Sequence, residues 1–402
     1  MYQKIPVKDL KVGMYVVNTG LACSGDPGVY SVEGLITYAE EIAAIVADGY
    51  TDVVIDLDKS EVRLTPEQKR PESGFQPLLG KDLAAAPQAR PRVPMAEELP
   101  RAEKALGDIL RFAREFTRDA RLGRQIDVGA SATLVESVMD SVGRNSQAML
   151  GLCKLRNFDE YTYSHSINVS VLAVVHATQL GTPRDKLREL GLAGLFHDIG
   201  KTAVPEQILN KPDKLTREEF EAMKTHPAKG RAILHRIGGL SEDVLDGVLH
   251  HHERVNGKGY PDRLTDGQIG LFPRIIGMVD VYDALTSQRC YKKGMLPSKA
   301  ISLMYGLRGS DFAAEQLDHF IKCLGIYPIG SFVRLDNGLS GFVIENMAQS
   351  LLRPKVKLAF DSAMRRIPPE DLDLSQFDTP NIVECLDPAT YRVDPASYVL
   401  AQ

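Results

Sequence analysis

LRELGLAGLFHDIGK, residues 187 to 201, is the stretch on which the reading of this chain turns. Leu187, Leu190, Gly194 and His197 recur at helical spacing and mark one face of a helix. Asp198 stands four residues after Gly194, so the His-Asp pair ends an inward-facing stripe. A buried carboxylate without a partner is costly, and a metal ion is one of the few partners that settles it. The plain alternative is an Asp just past a helix, paired with Lys201 one turn on; this stretch alone leaves the two readings even.

A second stretch, VLDGVLHHHE (244–253), repeats the pattern. Val244, Leu245, Val248 and Leu249 form the apolar stripe, and His251 and His252 extend it. His250 falls with Asp246 and Gly247 on the polar side and reads as a bystander or supporting group. All nine histidines lie between His165 and His319, which groups them in one predicted helical region. His165 opens the stripe His165, Val169, Leu172, His176. His176 lies three turns on, roughly 16 Å at helical rise, and reads as a core histidine. His226 follows a charged amphipathic stretch and is ambiguous alone. Asp280 and Asp283, in RIIGMVDVYDAL, are either site carboxylates or ordinary helix carboxylates. His235 and His319 have no supporting pattern.

His165, His197, Asp198, His226, His251, His252 and Asp280 together supply five imidazoles and two carboxylates. That exceeds the needs of one closed tetrahedral site. It suits two cations about 3.5–4 Å apart, bridged by a carboxylate, with Asp198 the natural bridge. Such a pair lowers the pKa of a shared water and clamps the attacking oxygen of a displacement at phosphorus. Mixed nitrogen and oxygen ligation admits iron, manganese or zinc.

Around this centre the 402-residue chain is expected to be mainly α, with room for two or three domains. A small α+β unit is expected over 1–60, with strands at Gly13–Val17 and Thr51–Leu57 and a helix over Ala39–Val46 stopping at Gly49. Seven prolines between Lys59 and Pro100 mark 61–100 as a linker. A connecting helix is expected over 101–129, carrying the stripe Leu106, Ile109, Leu110, Ala113, Phe116. Helices continue to about Cys323. A short β-rich tail (326–402) follows, with a hairpin over Ser331–Asn346 turning at Asp336-Asn337-Gly338 and a strand over Lys355–Phe360. The net charge of −5 argues against a nucleic-acid polymer as partner. Five scattered cysteines without a CxxC pair, no apolar leader and no run of 18 apolar residues fit a reduced, cytoplasmic protein without membrane insertion. Ile167–Leu180 reads as a core helix.

Five segments in order, HDIGK (197–201), VPEQILNKP (204–212), LTREEFEAMKTH (215–226), HHERVNGKGYPDRL (251–264) and RIIGMVDVYDALTSQRCY (274–291), resemble the HD-GYP family, a branch of the HD metal-dependent phosphohydrolases. The resemblance covers about residues 130 to 325 and implies an HD-type helical bundle there. It implies metal-dependent hydrolysis of cyclic di-GMP to pGpG and on to GMP by a metal-bridging hydroxide, with iron or manganese the expected ions. By position, His165, His197, Asp198 and Asp280 match one metal's ligands, and Asp198, His226, His251 and His252 the other's. Lys201 matches the lysine at the scissile phosphate and Arg289 an arginine near the substrate. Asp283 is assigned to substrate as well. Gly259, Tyr260 and Pro261 match the loop that gives the family its name, near substrate and implicated in contacts with protein partners. Tyr161 stands where some members carry a glutamate for a third metal, which favours two metals and leaves pGpG as the firmer product. The N-terminal region resembles the small domain that often precedes this fold. The competing readings are a cyclic di-GMP receptor with little turnover and a phosphohydrolase acting on another nucleotide.

Overall fold

The computed structural model describes residues 2–17, 33–47, 50, 52–62, 91–155, 161–211, 215–288, 294–347 and 350–400. The chain begins with β1 (Tyr2–Pro6), β2 (Tyr15–Val16), β3 (Gly34–Leu35), helix α1 (Ala39–Ala47) and β4 (Asp52–Asp56). The strands form an antiparallel sheet in the order β1-β4-β2-β3. Ile5, Met14, Val16, Val53 and Ile55 of this sheet region pack with Ile45 of α1 into a small core of their own. The expected stop at Gly49 lies outside the described residues.

The helical part comprises α2 (Met95–Arg121), α3 (Val128–Leu155), α4 (Tyr161–Gln179), α5 (Arg184–Phe196), α6 (Glu206–Leu209), α7 (Arg217–Met223), α8 (His226–Ile237), α9 (Glu242–His250), α10 (Leu271–Thr286), α11 (Pro297–Gly306) and α12 (Ala314–Leu324). α2 starts at Met95 rather than at 101, within the stretch expected to be linker. Pro100 lies inside it and cannot donate to the carbonyl one turn back. Ala96, which carries that carbonyl, is exposed, so water can take the donor's place. Glu98 fastens this end: its buried carboxylate accepts from Arg144 at 2.7 and 2.9 Å and from Ser141 at 2.7 Å. α3 is broken at Asn145, whose φ of −157° is extended. Asn145 Nδ2 donates to Val93 O, and its Oδ1 accepts from Gln147 N and restarts the helix.

α4 is the helix around which the bundle is built. Val169, Val171, Ala173, Val174 and Val175 have no exposed surface, so it is buried on all sides. It packs against α2, α3, α5, α10 and α12. Among the described residues no helix is long and apolar enough to cross a membrane. The chain ends in β5 (Phe332–Leu335), β6 (Ser340–Glu345), β7 (Lys355–Phe360), β8 (Arg366–Asp373), β9 (Ile382–Leu386) and α13 (Ala396–Val399). These strands form an antiparallel sheet ordered β8-β7-β6-β5-β9. The β5–β6 hairpin turns at the expected Asp-Asn-Gly, with Gly338 at φ 84°. The mainly α architecture with a small sheet at each end is therefore the one read from the sequence.

His176 lies in the core, edge-on to Phe320, and neither ring nitrogen has a hydrogen-bond partner. Burial, helped by His319, pushes its pKa down to about 3. The unfolded chain therefore binds a proton near pH 6.5 that the folded chain refuses. Stability falls as pH drops below 6.5, by about 2 kcal/mol between pH 7 and pH 5 through this residue. His176→Leu removes both the unpaired nitrogens and the proton uptake. The leucine variant is expected to melt higher at pH 7, by about 1–3 kcal/mol of stability, and to lose less on acidification. Denaturant melts at the two pH values test this; a wild type at least as stable as the variant at pH 5 would contradict it.

Candidate metal centre

Five separate helices bring the sequence-selected side chains to one point. His165 lies in the second turn of α4, His197 and Asp198 directly follow α5, and Asp280 is midway along α10. His226 opens α8, and His251 and His252 follow α9. Local signals set these ends. Ser241 caps α9 by accepting from Val244 N, and a Thr216–Glu219 capping box starts the α7 that leads into α8. The C-termini of α5 and α9 both end at the site, and their partial negative charge favours a cation there. Two glycines permit the close packing. A Cβ on Gly200 would lie 1.9 Å from His226 O, and one on Gly277 would lie 2.2 Å from His251 O. No other residue fits at either place without moving the backbone of a candidate ligand.

The candidate ligand atoms fall into two groups. Asp198, His226, His251 and His252 form one, and His165, His197 and Asp280 the other; within each, the donor atoms lie within 4.8 Å of one another. Asp198 stands between them. Its Oδ2 is 3.3 Å from His197 Nε2 and 3.7 Å from His165 Nε2. Its Oδ1 is 3.2 Å from His226 Nε2 and 4.0 Å from His251 Nε2. Asp280 Oδ1 lies 3.1 Å from His165 Nε2.

The imidazoles are turned so that Nε2 faces inward. His197 Nδ1 donates to Gly194 O, His226 Nδ1 to Met223 O and His251 Nδ1 to Val248 O, each at 2.8 Å. A carbonyl only accepts, so Nδ1 carries the proton and Nε2 keeps its lone pair in the neutral ring. His165 Nδ1 donates to Asp283 Oδ2 at 2.7 Å. Consequently the Nε2 lone pairs of His226 and His251 face each other across 3.3 Å. Two nitrogens held about 2.1 Å from one ion stand roughly that far apart. His197 Nε2 and Asp198 Oδ1 are buried without a hydrogen bond. A cation resolves both the repulsion and the orphaned atoms, and the cluster is compatible with divalent metal binding.

Charge states agree. Burial lowers the pKa of His251 and His252, and the neighbouring imidazoles lower it further, so both are neutral donors. Burial opposes ionisation of Asp198, but His197 and Lys201 outweigh it and hold the carboxyl well below its usual range. Asp280 is held down the same way by His165. For His165 itself, burial opposes the charge while Asp280 and Asp283 override it and raise the pKa to about 9. A cation arriving between Asp280 and His165 therefore displaces a proton.

Lys201 Nζ donates to Asp198 Oδ2 at 2.5 Å, so the ion pair left open by the sequence exists alongside the cluster. Tyr260 stacks on the His252 ring, centroids 4.6 Å apart, which sets the Gly259-Tyr260-Pro261 loop against the cluster. Asp283 is placed differently from the sequence reading. It is buried, with Oδ2 held by His165 and Oδ1 accepting from Asn168 Nδ2 at 2.9 Å. Both oxygens are thus taken by neighbouring side chains, and Asp283 stands on the Nδ1 side of the His165 ring. The signal was its position one turn after Asp280 on the same buried face. His250 is drawn away by Asp246 at 2.6 Å and Asp262 at 2.9 Å, and His235 is exposed. Arg289 and the side chain of Tyr161 lie outside what the structure describes.

Sequence profiles match three consecutive parts of the chain. An HD domain covers residues 136–315, a domain of unknown function (DUF3391) residues 2–131, and a KOW domain associated with HD domain residues 332–393. Cyclic di-GMP phosphodiesterase PA4108 of Pseudomonas aeruginosa is 37% identical over 390 residues, 97% of this chain and 93% of that one. The chain belongs to the HD-GYP family. The cyclic di-GMP phosphodiesterase response regulator RpfG of Xanthomonas campestris is 38% identical over 157 residues, 38% of this chain and 41% of that one. Among solved structures, Bd1817, an HDG"Y"P protein of Bdellovibrio bacteriovorus, covers 80% of this chain and 98% of its own at 18% identity and a TM-score of 0.46. In HD-GYP terms the family name is carried here by His197-Asp198 and by Gly259-Tyr260-Pro261.

Proposed function

We propose that this chain is a phosphodiesterase that hydrolyses cyclic di-GMP to pGpG at a site holding two divalent cations, iron or manganese, with GMP as a further product. The observation that carries the reading is the two-sided position of Asp198, one oxygen toward each ligand group. When bound, the cations supply a water of lowered pKa and neutralise charge on the phosphoryl oxygens. The chain's own residues do the rest. His165, His197 and Asp280 hold one ion, and His226, His251 and His252 the other, with Asp198 shared. Lys201 is part-exposed beside Asp198 and can swing to the scissile phosphate, where its charge is worth most in the transition state. Gly259, Tyr260, Pro261 and Arg289 are assigned to substrate, and the loop also to protein partners. The free thiols Cys153, Cys323 and Cys385 suit a cytoplasmic setting, where the dinucleotide is met.

The test is product analysis with Mn(II)- or Fe(II)-reconstituted protein and cyclic di-GMP. Linear pGpG is expected first, with GMP following. Cyclic di-GMP that binds but stays intact would replace the enzyme reading with a receptor, and hydrolysis of a different nucleotide alone would move the chain to another substrate.

A further inference from the structure

The N-terminal sheet meets the helical bundle at α11 and at the segment before Gly259. Tyr2 and Val54 pack on the main core, and Gly306 of α11 runs close against the Tyr2 backbone. Beside this contact, Lys4 Nζ of β1 reaches Asp311 Oδ1 at 2.6 Å. The Asp311 carboxylate has no exposed surface, and its Oδ2 lacks a hydrogen bond. Lys4, which reaches it from another domain's first strand, is the cation the structure gives it.

Asp311 also holds the segment before Gly259. Its backbone oxygen accepts from Val255 N at 3.3 Å, and Oδ1 accepts from Asn256 Nδ2 at 3.3 Å. Asn256 Oδ1 in turn accepts from Lys258 N at 2.9 Å. Lys258 Nζ then reaches back to the N-terminal sheet and pairs with Asp52 of β4. Lys4 and Asp52 sit on neighbouring strands, where Pro6 pairs with Asp52 and Lys4 with Val54. The sheet therefore grips the loop at two points. The loop's next residues are Gly259 and Tyr260, and Tyr260 lies flat on His252. Glu253 fixes the loop's far side by accepting from Asp262 N at 2.7 Å and Leu264 N at 2.9 Å.

We infer that the N-terminal sheet is a positioning element for the metal centre: Lys4 through Asp311, and Asp52 through Lys258, hold Tyr260 on His252 and so set how tightly the Asp198, His226, His251, His252 group keeps its cation. The inference rests on the metal-site reading above. Lys4 and Asp52 belong to neither group of candidate ligands and act through the loop. Partners supporting a metal-binding histidine typically matter about 10–100-fold in metal affinity.

The experiment is Mn(II) binding to the full-length protein, with free Mn(II) read by electron paramagnetic resonance. Lys258→Met strands no buried charge, because Asp52 keeps some access to water. The pair Lys4→Met with Asp311→Asn removes both charges together. Each is expected to weaken one of two Mn(II) equivalents about tenfold, with the other unchanged. Tyr260→Leu is expected to do the same. Adding Lys258→Met to Tyr260→Leu should cost nothing further, since the route is already cut. Lys4→Arg alone, which keeps the charge opposite Asp311, should retain wild-type binding. Unchanged Mn(II) affinity in both charge variants, or effects that multiply when Lys258→Met and Tyr260→Leu are combined, would overturn the inference. A wild type that binds no Mn(II) would instead remove the metal-site reading itself.

Discussion

Asp198→Asn is expected to reduce turnover of cyclic di-GMP by more than about 10³-fold, beyond the loss typical of a single transition-state hydrogen bond. The asparagine is nearly isosteric, so the backbone after α5 need not move. What it lacks is the second anionic oxygen. Oδ2 faces His165 and His197, and Oδ1 faces His226 and His251, so one substitution takes the oxygen from one group and the negative charge from both. It also places an amide N–H₂ where an acceptor is needed, beside imidazoles or beside Lys201. Lys201 is part-exposed and returns to water, so the loss is not one of folding. Excess Mn(II) should not restore activity, because the shared position itself is gone. Steady-state kinetics across a Mn(II) range, with metal content per chain, measure this. Turnover within tenfold of wild type would refute Asp198 as the shared ligand.

The helical spacing around HDIGK and VLDGVLHHHE made the His/Asp cluster legible, because burial of a polar side chain on an apolar face is itself a sequence pattern. Leu187, Leu190 and Gly194 point the way to His197, and Val248 and Leu249 to His251 and His252. The same logic separated His250, which the structure ties to Asp246 and Asp262, and His176, which it places in the core. The α2 start was not legible. Seven prolines between Lys59 and Pro100 look like a linker; that Ala96 faces water, and so tolerates Pro100, is a tertiary fact. Nor could spacing show that Lys4, near the first residue, is the counter-charge of Asp311, because ion pairs across 307 residues leave no local period. Asp283 was the subtler case. Its register put it on the same face as Asp280, but that Asp280 meets His165 at Nε2 and Asp283 at Nδ1 is a tertiary fact.

That distinction gives the second large effect, and it separates positioning from ligation. Asp283→Asn keeps one oxygen for His165 Nδ1 but turns an N–H₂ toward Asn168. Asn168 can accommodate it by flipping, since its Oδ1 is buried and lacks a partner in the wild type. The variant should therefore fold. His165 loses the negative charge behind its ring, becomes a weaker donor, and its orientation is fixed less firmly. Mn(II) affinity of the His165, His197, Asp280 group is expected to fall about 10–100-fold. The Asp198, His226, His251, His252 group does not include Asp283 and should keep its affinity. Turnover at limiting Mn(II) falls in proportion, and saturating Mn(II) brings it back, which Asp198→Asn does not allow. Two-site Mn(II) titration alongside activity distinguishes the outcomes. If both equivalents weaken together, Asp283 supports the fold of the whole centre. If activity stays lost at saturating Mn(II) with both sites filled, Asp283 touches substrate after all. Only selective weakening with metal rescue fits a carboxylate that acts through His165.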